Sequence, residues 1–345
     1  HYRDRRQRQM CIRDSLYNDR GYQTQIQEAG DASRIYQTIH SLDAFGNATY
    51  ETQGNGVVTR RLYDERGFLR SIRTGHSDGV WDIQDLSMNY DAVGNLMQRD
   101  DWLSDHHEAM SYDSLDRLQW VDLTLPGQST PLRTMQMSYD AGGRILSKEG
   151  QSYGYDTALP VHGVKSKASK SYSYDVNGNQ TLRIENGNQR QLNYTHFDKP
   201  WRVNYLGNES RYQYDPLRNK LEREERSDST IYTRTWYLGG LEILVENPLA
   251  PVNQQTYRYR RQIDGIAQVE AEVGVNETIA YYHRDHLNSL TAISFDHSMT
   301  VTQLSYDAFG RRRDANDWTF KLPFNLVGPI TDHGFGDHET RDELG

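Results

Sequence analysis

A seven-residue pattern recurs along this chain of 345 residues and limits what the chain can fold into. The pattern opens with Tyr-Asp, continues with two variable residues and Gly, and ends with a strand-forming residue, as in Tyr90-Asp91-Ala92-Val93-Gly94-Asn95-Leu96. Clear copies start at Tyr63, Tyr90, Tyr139, Tyr174 and Tyr306, and looser copies start at Tyr17, Leu42 and Tyr112. A pattern that returns in this way indicates a repeat architecture with one structural unit per copy.

Each copy is typical of a strand, a tight turn and a second strand. Asp favours the first position of a type I turn, because its carboxylate accepts hydrogen bonds from nearby backbone N–H groups. Gly then takes the left-handed conformation that closes the hairpin with a bulge. We therefore expect Gly67, Gly94 and Gly143 at positive φ, and Tyr63, Tyr90, Tyr112 and Tyr139 at equivalent hairpin positions.

The residues predicted to build these structural turns are Tyr63, Asp64, Gly67, Tyr90, Asp91, Gly94, Tyr112, Asp113, Tyr139, Asp140, Gly143, Tyr174, Asp175, Gly178, Tyr306, Asp307 and Gly310. Asp116 stands in a glycine position and is a mild departure, because Asp tolerates positive φ. Two further copies, at Tyr214-Asp215 and Phe197-Asp198, have Arg218 and Trp201 in that position. We expect those two turns to close differently.

Composition supports a sheet and argues against several classes of function. Hydrophobic residues make up 35% of the chain, Tyr contributes 24 of them, and we find no convincing helix, so the expected fold is all-β. The net charge of −9 argues against nucleic-acid binding, which needs a basic surface. The single Cys11 excludes an internal disulfide. No apolar run approaches the roughly 18 residues of a membrane helix.

Three regions are expected along the chain. Residues 1–15 carry five arginines and form a basic leader that is disordered or artefactual. Residues 16–235 form the hairpin array. Residues 236–345 differ in character, because the repeat pauses between Tyr214 and Tyr306.

The segment from Tyr281 to Leu290 and the Tyr-Asp repeats together resemble the RHS (rearrangement hotspot) family, also called YD-repeat proteins. The residues that match the core signature of that family are Tyr282, His283, Asp285, His286, Leu287 and Ser289. The family usually has Gly where this chain has Asn288, which points to an altered turn there. Within this resemblance, residues 236–345 are the start of an RHS-associated core, truncated at its C-terminus.

The resemblance implies a long antiparallel strip of hairpins that winds into a hollow shell, of which this chain is a part. In that family the shell encloses a variable C-terminal toxin domain, so the expected partner is the C-terminal toxin domain of the parent chain. Secretion-system or cell-surface partners and a secreted or surface location in a bacterium are also implied. The alternative is a cell-surface adhesion or carbohydrate-binding array, and the sequence that follows Gly345 would distinguish the two.

Three clusters of polar residues resemble metal sites. His283, Asp285 and His286 offer zinc ligands, but a turn stabilised by polar side chains is the favoured interpretation. His333, His338 and Glu339 match no established metal spacing. Asp175, Asn177 and Asn179 mimic the start of a calcium loop, but Gly178 falls in the wrong position, so a hairpin turn is expected.

No catalytic site, cofactor or metal is predicted from these residues. The chain has no nucleophile motif. In the resembling family, toxin release depends on an aspartyl protease with an Asp-Pro motif beyond a segment like Asp342-Glu343-Leu344-Gly345. The one Asp-Pro in this chain, Asp215-Pro216, lies in a repeat turn.

Overall fold

The structure is a computed structural model that describes residues 13–125, 127–128, 130–156, 162–227, 230–315 and 334–337. Within those residues the chain forms strands and two short 3-10 helices, and it contains no α-helix. The predicted all-β class is confirmed. The described part of the chain holds no helix long and apolar enough to cross a membrane.

The strands are β1 (Arg13–Tyr17), β2 (Gln23–Glu28), β3 (Asp31–Leu42), β4 (Ala48–Gln53), β5 (Val58–Tyr63), β6 (Leu69–Gly75), β7 (Gln84–Tyr90), β8 (Leu96–Asp101), β9 (His106–Tyr112), β10 (Leu118–Thr124), β11 (Arg133–Tyr139), β12 (Ile145–Lys148), β13 (Gln151–Tyr155), β14 (Val164–Lys167) and β15 (Lys170–Tyr174). They continue as β16 (Gln180–Glu185), β17 (Asn188–Tyr194), β18 (Pro200–Tyr205), β19 (Asn208–Tyr214), β20 (Lys220–Ser227), β21 (Thr230–Leu238), β22 (Leu241–Glu246), β23 (Thr256–Ile263), β24 (Ala267–Glu272), β25 (Thr278–Arg284), β26 (Leu290–Phe295), β27 (Val301–Gln303), β28 (Ser305–Tyr306) and β29 (Arg312–Arg313). The 3-10 helices are Val252–Gln254 and Phe335–Asp337.

Strands β1 to β27 form one 27-stranded antiparallel sheet. Each pairing joins strands that are consecutive in the chain, and β28 and β29 pair separately. Hairpin connections therefore alternate between two edges of a long strip. The repeat turns lie along one edge, and the first and last strands of the strip do not pair with each other.

One face of the strip, here named the inner face, is buried from β5 to β11. Alternate residues point to it, as the burial of Gln84, Leu86 and Met88 on β7 illustrates. Strands β25 to β29 cover this region. Ala292 on β26 packs against Val57 and Ile83, and Gln84 Nε2 donates to the Thr291 hydroxyl at 2.7 Å.

The two ends of the strip also contact each other. Ile26 and Tyr36 on β2 and β3 form one buried cluster with Ile263, Val269 and Tyr281 on β23 to β25. Beside this cluster, both guanidinium nitrogens of Arg261 donate to Glu28 at 2.6 Å. Side-chain contacts therefore join strands β23 to β25 to strands β2 and β3.

The middle of the strip differs from both ends. Strands β13 to β17 contain no buried residue, although they continue the sheet without a break in pairing. No described part of the chain covers them. This stretch is a single-layer wall with two accessible faces.

Candidate functional site: the repeat turns and the His283–Ser289 segment

The turn that starts at Asp91 shows how one repeat is built. Asp91 N donates to Asn95 O at 3.0 Å, and Gly94 N donates to Asp91 O at 3.3 Å. The Oδ1 atom of Asp91 accepts from the backbone N–H groups of Val93, Gly94 and Asn95 at 3.0, 2.8 and 2.8 Å. Its Oδ2 atom accepts from the Asn95 side-chain amide at 3.0 Å. One carboxylate therefore satisfies most donors of the turn.

These hydrogen bonds keep the turn carboxylates ionised. For Asp91, burial acts to raise the pKa, but the bonds from Asn95, Gly94 and Val93 outweigh it and the pKa is lowered. For Asp113, Asp140 and Asp175, the strongest effect lowers the pKa and is the hydrogen bond from the side chain of the fifth turn residue, which is Arg117, Arg144 and Asn179 respectively. The turn aspartates are structural anions.

The other predicted turn residues lie in equivalent places. The same two backbone bonds close the turns that begin at Asp64, Asp113, Asp140, Asp175 and Asp307. The turn glycines have positive φ: 86° for Gly67, 101° for Gly94, 85° for Gly143, 89° for Gly178 and 80° for Gly310. Asp116 replaces the glycine with φ 57°. A shift in strand register lies beside Tyr63, Tyr90, Tyr112, Tyr139 and Tyr174, as a bulge requires.

The tyrosine that opens each repeat contacts the preceding hairpin. Tyr139 Oη donates to Leu118 O at 2.7 Å, and Tyr112 Oη donates to Leu96 O at 2.9 Å. The same contact joins Tyr174 to Val164 O, Tyr194 to Gln180 O and Tyr214 to Pro200 O, at 2.8, 3.1 and 2.6 Å. These bonds connect successive turns independently of the strand ladder.

The rings of these tyrosines pack on side chains of the preceding turn. The Tyr90 ring stacks on Phe68 with centroids 5.0 Å apart. The Arg117 guanidinium lies 4.7 Å from the centroid of Tyr139. A cation–π contact uses the ring face and leaves the hydroxyl available for the backbone bond.

The prediction that the turns without glycine close differently is wrong. Arg218 has φ 65°, and its N–H donates to Asp215 O at 2.9 Å, as a glycine would. In the other turn, the chain reverses between Thr195 and Lys199, with Asp198 at φ 61°. Trp201 therefore lies on β18 and outside the turn. The strand pairings on both sides outweigh the roughly 1–2 kcal/mol that a left-handed residue other than Gly costs.

The segment from His283 to Ser289 is another repeat turn, in which His283, Asp285 and Ser289 are buried. Asp285 N donates to Ser289 O at 3.0 Å, and Asp285 Oδ1 accepts from Leu287 N and Ser289 N at 2.9 and 2.8 Å. Asn288 takes the glycine position with φ 65°, so the turn is not altered. The repeat geometry therefore returns once between Tyr214 and Tyr306, at Arg284-Asp285, which occupies the Tyr-Asp place.

The side chains around this turn are arranged for packing. Tyr282 belongs to a buried cluster with Leu290, Ile293 and Tyr306. His283 Nε2 lies 2.8 Å from the Ser294 hydroxyl, and burial together with the nearby Arg61 charge lowers its pKa to about 3. Burial also lowers the pKa of His286 despite the Asp285 carboxylate. Neutral imidazoles with lowered pKa values are poor general bases near neutral pH.

The candidate metal ligands do not assemble. In the described ranges, no group of three His, Cys, Asp or Glu side chains is placed to hold a metal ion. His333, His338 and Glu339 lie outside those ranges. Asn177 and Asn179 donate their amides to Asp198 Oδ1 at 2.9 and 2.8 Å, which links their turn to the next one.

A buried ion cluster was missed by the sequence analysis. Glu108 on β9 is 2% exposed, and it accepts hydrogen bonds from Arg99 on β8 and from Arg313 on β29, the latter at 2.6 Å. Arg99 Nη2 also donates to Tyr306 O at 3.0 Å. A cavity of about 590 Å³ lies beside these residues. The hairpin register places Arg99 opposite Glu108, but nothing in the spacing points to Arg313.

Comparison with known proteins finds one group of relatives. No family model matches the chain. In an alignment of 162 residues that covers 44% of its length, the chain is 27% identical to the toxin subunit YenC2 of Yersinia entomophaga.

Solved structures of toxin assemblies resemble it weakly. A crystal structure of TcdB2-TccC3 covers 97% of the chain at 16% identity and a TM-score of 0.45. A second one, of TcdB2-TccC3 without its hypervariable C-terminal region, covers 95% at 16% identity and a TM-score of 0.43. The chain spans 16% of the length of YenC2 and 22% of each of these chains, so the similarity concerns one part of much longer proteins.

Proposed function

We propose that this chain is a wall segment of a hollow RHS-type shell that encloses the C-terminal toxin domain of its parent protein. Its part in that role is structural, with no catalytic step. The observation that carries the proposal is the contact between strands near the two ends of the strip. Arg261 on β23 contacts Glu28 on β2, and the two residues are 233 positions apart in sequence. Between those contacts runs the single-layer wall of β13 to β17.

A strip that bends back on itself and keeps an uncovered middle bounds a space. Side-chain contacts at three places hold the bend: Glu28 with Arg261, Gln84 with Thr291, and Glu108 with Arg313. The tyrosine-to-carbonyl bonds stiffen the turn edge between these places. The similarity to a toxin subunit supports a toxin domain as the enclosed material.

The adhesion or carbohydrate-binding alternative uses the repeat tyrosines differently. Sugar binding needs exposed ring faces on which a pyranose can stack. In this chain, ring faces of Tyr139, Tyr155 and Tyr214 are covered by Arg117, Arg144 and Lys199. The hydroxyls of the same three residues donate to backbone carbonyls. This arrangement favours a structural role for the tyrosines.

Protease protection tests enclosure directly. The full-length parent protein is treated with trypsin, and cleavage within its C-terminal domain is followed by mass spectrometry beside the same domain expressed alone. We expect the domain to be cut rapidly alone and slowly in the intact parent. Equal rates of cleavage would contradict enclosure.

A charge swap at the Glu28–Arg261 contact provides the matched control. Glu28→Arg places two cations together where the ends of the strip meet, and it should expose the domain to trypsin. Adding Arg261→Glu restores an ion pair of reversed polarity and should restore much of the protection. Protection that is lost in the single variant and regained in the double variant assigns the effect to the joining of the two ends.

A further inference from the structure

Strands β13 to β17 carry their charges on one face. The pairings of Tyr153 with Lys167, Lys167 with Lys170 and Lys170 with Glu185 place these side chains on the same side of the sheet. The cations on this side are Lys165, Lys167, Lys170, Arg183 and Arg190, and the carboxylate is Glu185. The opposite side of the same strands carries neutral residues such as Ser152, Gly154, Ser166, Ser171 and Ser173.

The charged side is the inner face. Met137, which is buried on the inner face of β11, pairs with Lys148, and Lys148 pairs with Gln151 at the start of β13. From there the alternation of the strand continues to Tyr153 and Tyr155. Near β11 the inner face is covered by β25 to β29. On β13 to β17, where no described residue covers it, the same face is cationic.

The arrangement concentrates positive charge. Arg183 and Arg190 stand directly opposite each other on β16 and β17, a placement that destabilises an antiparallel pair. Burial and the Arg183 charge both lower the pKa of Arg190. Glu185 lies 2.6 Å from Lys170 and 3.5 Å from Arg183. An anion on this face would relieve the repulsion.

The remaining contacts on this face are aromatic. Lys167 Nζ lies 4.9 Å from the ring centroid of Tyr153, and Lys165 Nζ lies 5.1 Å from that of Tyr174. Tyr172 is on the same side, opposite Arg183. Flat apolar rings between cations accept backbone and aliphatic groups, while the cations attract carboxylates.

We propose that this cationic inner face binds an acidic segment of the polypeptide that the shell encloses. The proposal rests on the function proposed above and names the chemistry of the contact. An extended chain with a carboxylate at every second residue places them about 7 Å apart, the spacing of Lys165 and Lys167 along their strand. The charged side is the inner face, on which the proposed shell holds its polypeptide, so the anionic partner is assigned to that polypeptide.

The test uses the whole chain and synthetic peptides of about 12 residues, which are longer when extended than each of the strands β13 to β17. Binding of fluorescein-labelled alternating Glu-Ser, Gln-Ser and Lys-Ser peptides is measured by anisotropy, with a single-stranded oligonucleotide of equal charge as a fourth probe. We expect the Glu-Ser peptide to bind, and to bind more weakly as salt rises. The Gln-Ser and Lys-Ser peptides should not bind.

Two variants locate the site. Lys167→Gln with Arg190→Gln removes two inner-face cations and should weaken binding of the Glu-Ser peptide about tenfold. Arg202→Gln with Arg211→Gln removes two cations of the opposite face, both bonded to Glu209, and should leave binding unchanged. Circular dichroism shows whether each variant keeps its sheet.

Three results overturn the proposal: no binding of the Glu-Ser peptide to the unmodified chain, tighter binding of the oligonucleotide, or equal weakening by both variants. The first two need no variant, so they stand even where a substitution prevents folding. None of the three affects the protease-protection experiment. If the C-terminal domain is protected from trypsin but the Glu-Ser peptide does not bind, the shell encloses the domain without this contact.

Discussion

The buried cluster around Glu108 should hold β28 and β29 against the inner face. Replacing Glu108 with Gln keeps the volume of the side chain and removes its charge. Arg99 and Arg313 would then remain buried beside each other with no carboxylate between them. We expect this substitution to detach the β28–β29 hairpin before it affects the rest of the sheet.

The size of the effect follows from burial. Removing one member of a buried ion pair costs about 3–5 kcal/mol, because the remaining charge is left uncompensated. Burial acts to raise the pKa of Glu108, but Arg99 and Arg313 outweigh it, so the folded pKa lies below the ordinary 4.5. A lowered pKa contributes stability that is complete above the unfolded pKa and is lost as pH falls through the folded pKa. At neutral pH the full effect should be seen.

Hydrogen exchange measures this locally. A loss of about 3 kcal/mol increases exchange roughly a hundredfold in residues 304–313, while residues 170–205 should exchange as in the unmodified chain. Asp78→Asn is the control, because Asp78 pairs with Arg60 on the surface and its loss should change exchange little. Unchanged exchange at 304–313 in the Glu108→Gln protein would refute the reasoning.

Four further outcomes are expected. Gly94→Ala places a Cβ 2.9 Å from the Phe68 ring, whereas Gly67→Ala meets nothing within 4 Å. Urea unfolding should therefore show a loss of about 2 kcal/mol for the first and about 1 kcal/mol for the second, and equal losses would contradict the steric argument. Tyr139→Phe leaves Leu118 O without its donor and should lower the free energy of unfolding by about 1 kcal/mol in the same assay, so an unchanged value would count against the tyrosine bonds. Because the pKa values of Asp113, Asp140 and Asp175 lie below the ordinary 3.8, their stabilisation is complete above that pH and is lost as pH falls further. A variant with Asn at all three positions should lose less thermal stability on acidification, and a loss as large as in the unmodified chain would contradict this. The purified chain should stay intact by mass spectrometry over a range of pH, whereas cleavage at one bond that a single Asp→Asn change abolishes would show a catalytic site.

The turns could be predicted from the sequence because their physics is local. A carboxylate, its N–H donors and a left-handed residue lie within five positions, as in Asp91 to Asn95. The Asp285 segment was expected to be a turn but not a copy of the repeat, because Arg284 and Asn288 replace the Tyr and Gly of the pattern. Arg218 was misjudged for a related reason: the strand pairings on both sides decide the conformation of a single turn residue.

The packing of β25 to β29 on the inner face could not be predicted. It depends on how far the strip bends, which is the sum of a small twist at each of many strand pairs. The contact of Glu108 with Arg313 joins residues that are 205 apart in sequence. The cationic face of β13 to β17 could be predicted from the sequence once the hairpin register is known, because the alternation of a strand places its lysines and its serines on opposite faces.

The pairing of each strand with its chain neighbours also determines the order in which the protein can fold. Each new hairpin finds its partner strand already in place, so the sheet can extend while the polypeptide is still being made. The contacts of β25 to β29 with β5 to β11 are the exception, because they need both ends of the chain. Until β25 to β29 are synthesised, the inner face of the strip stays exposed, including Met88, Met110, Met135 and Met137. The incomplete chain is therefore prone to aggregate during this interval, and a chaperone would protect it.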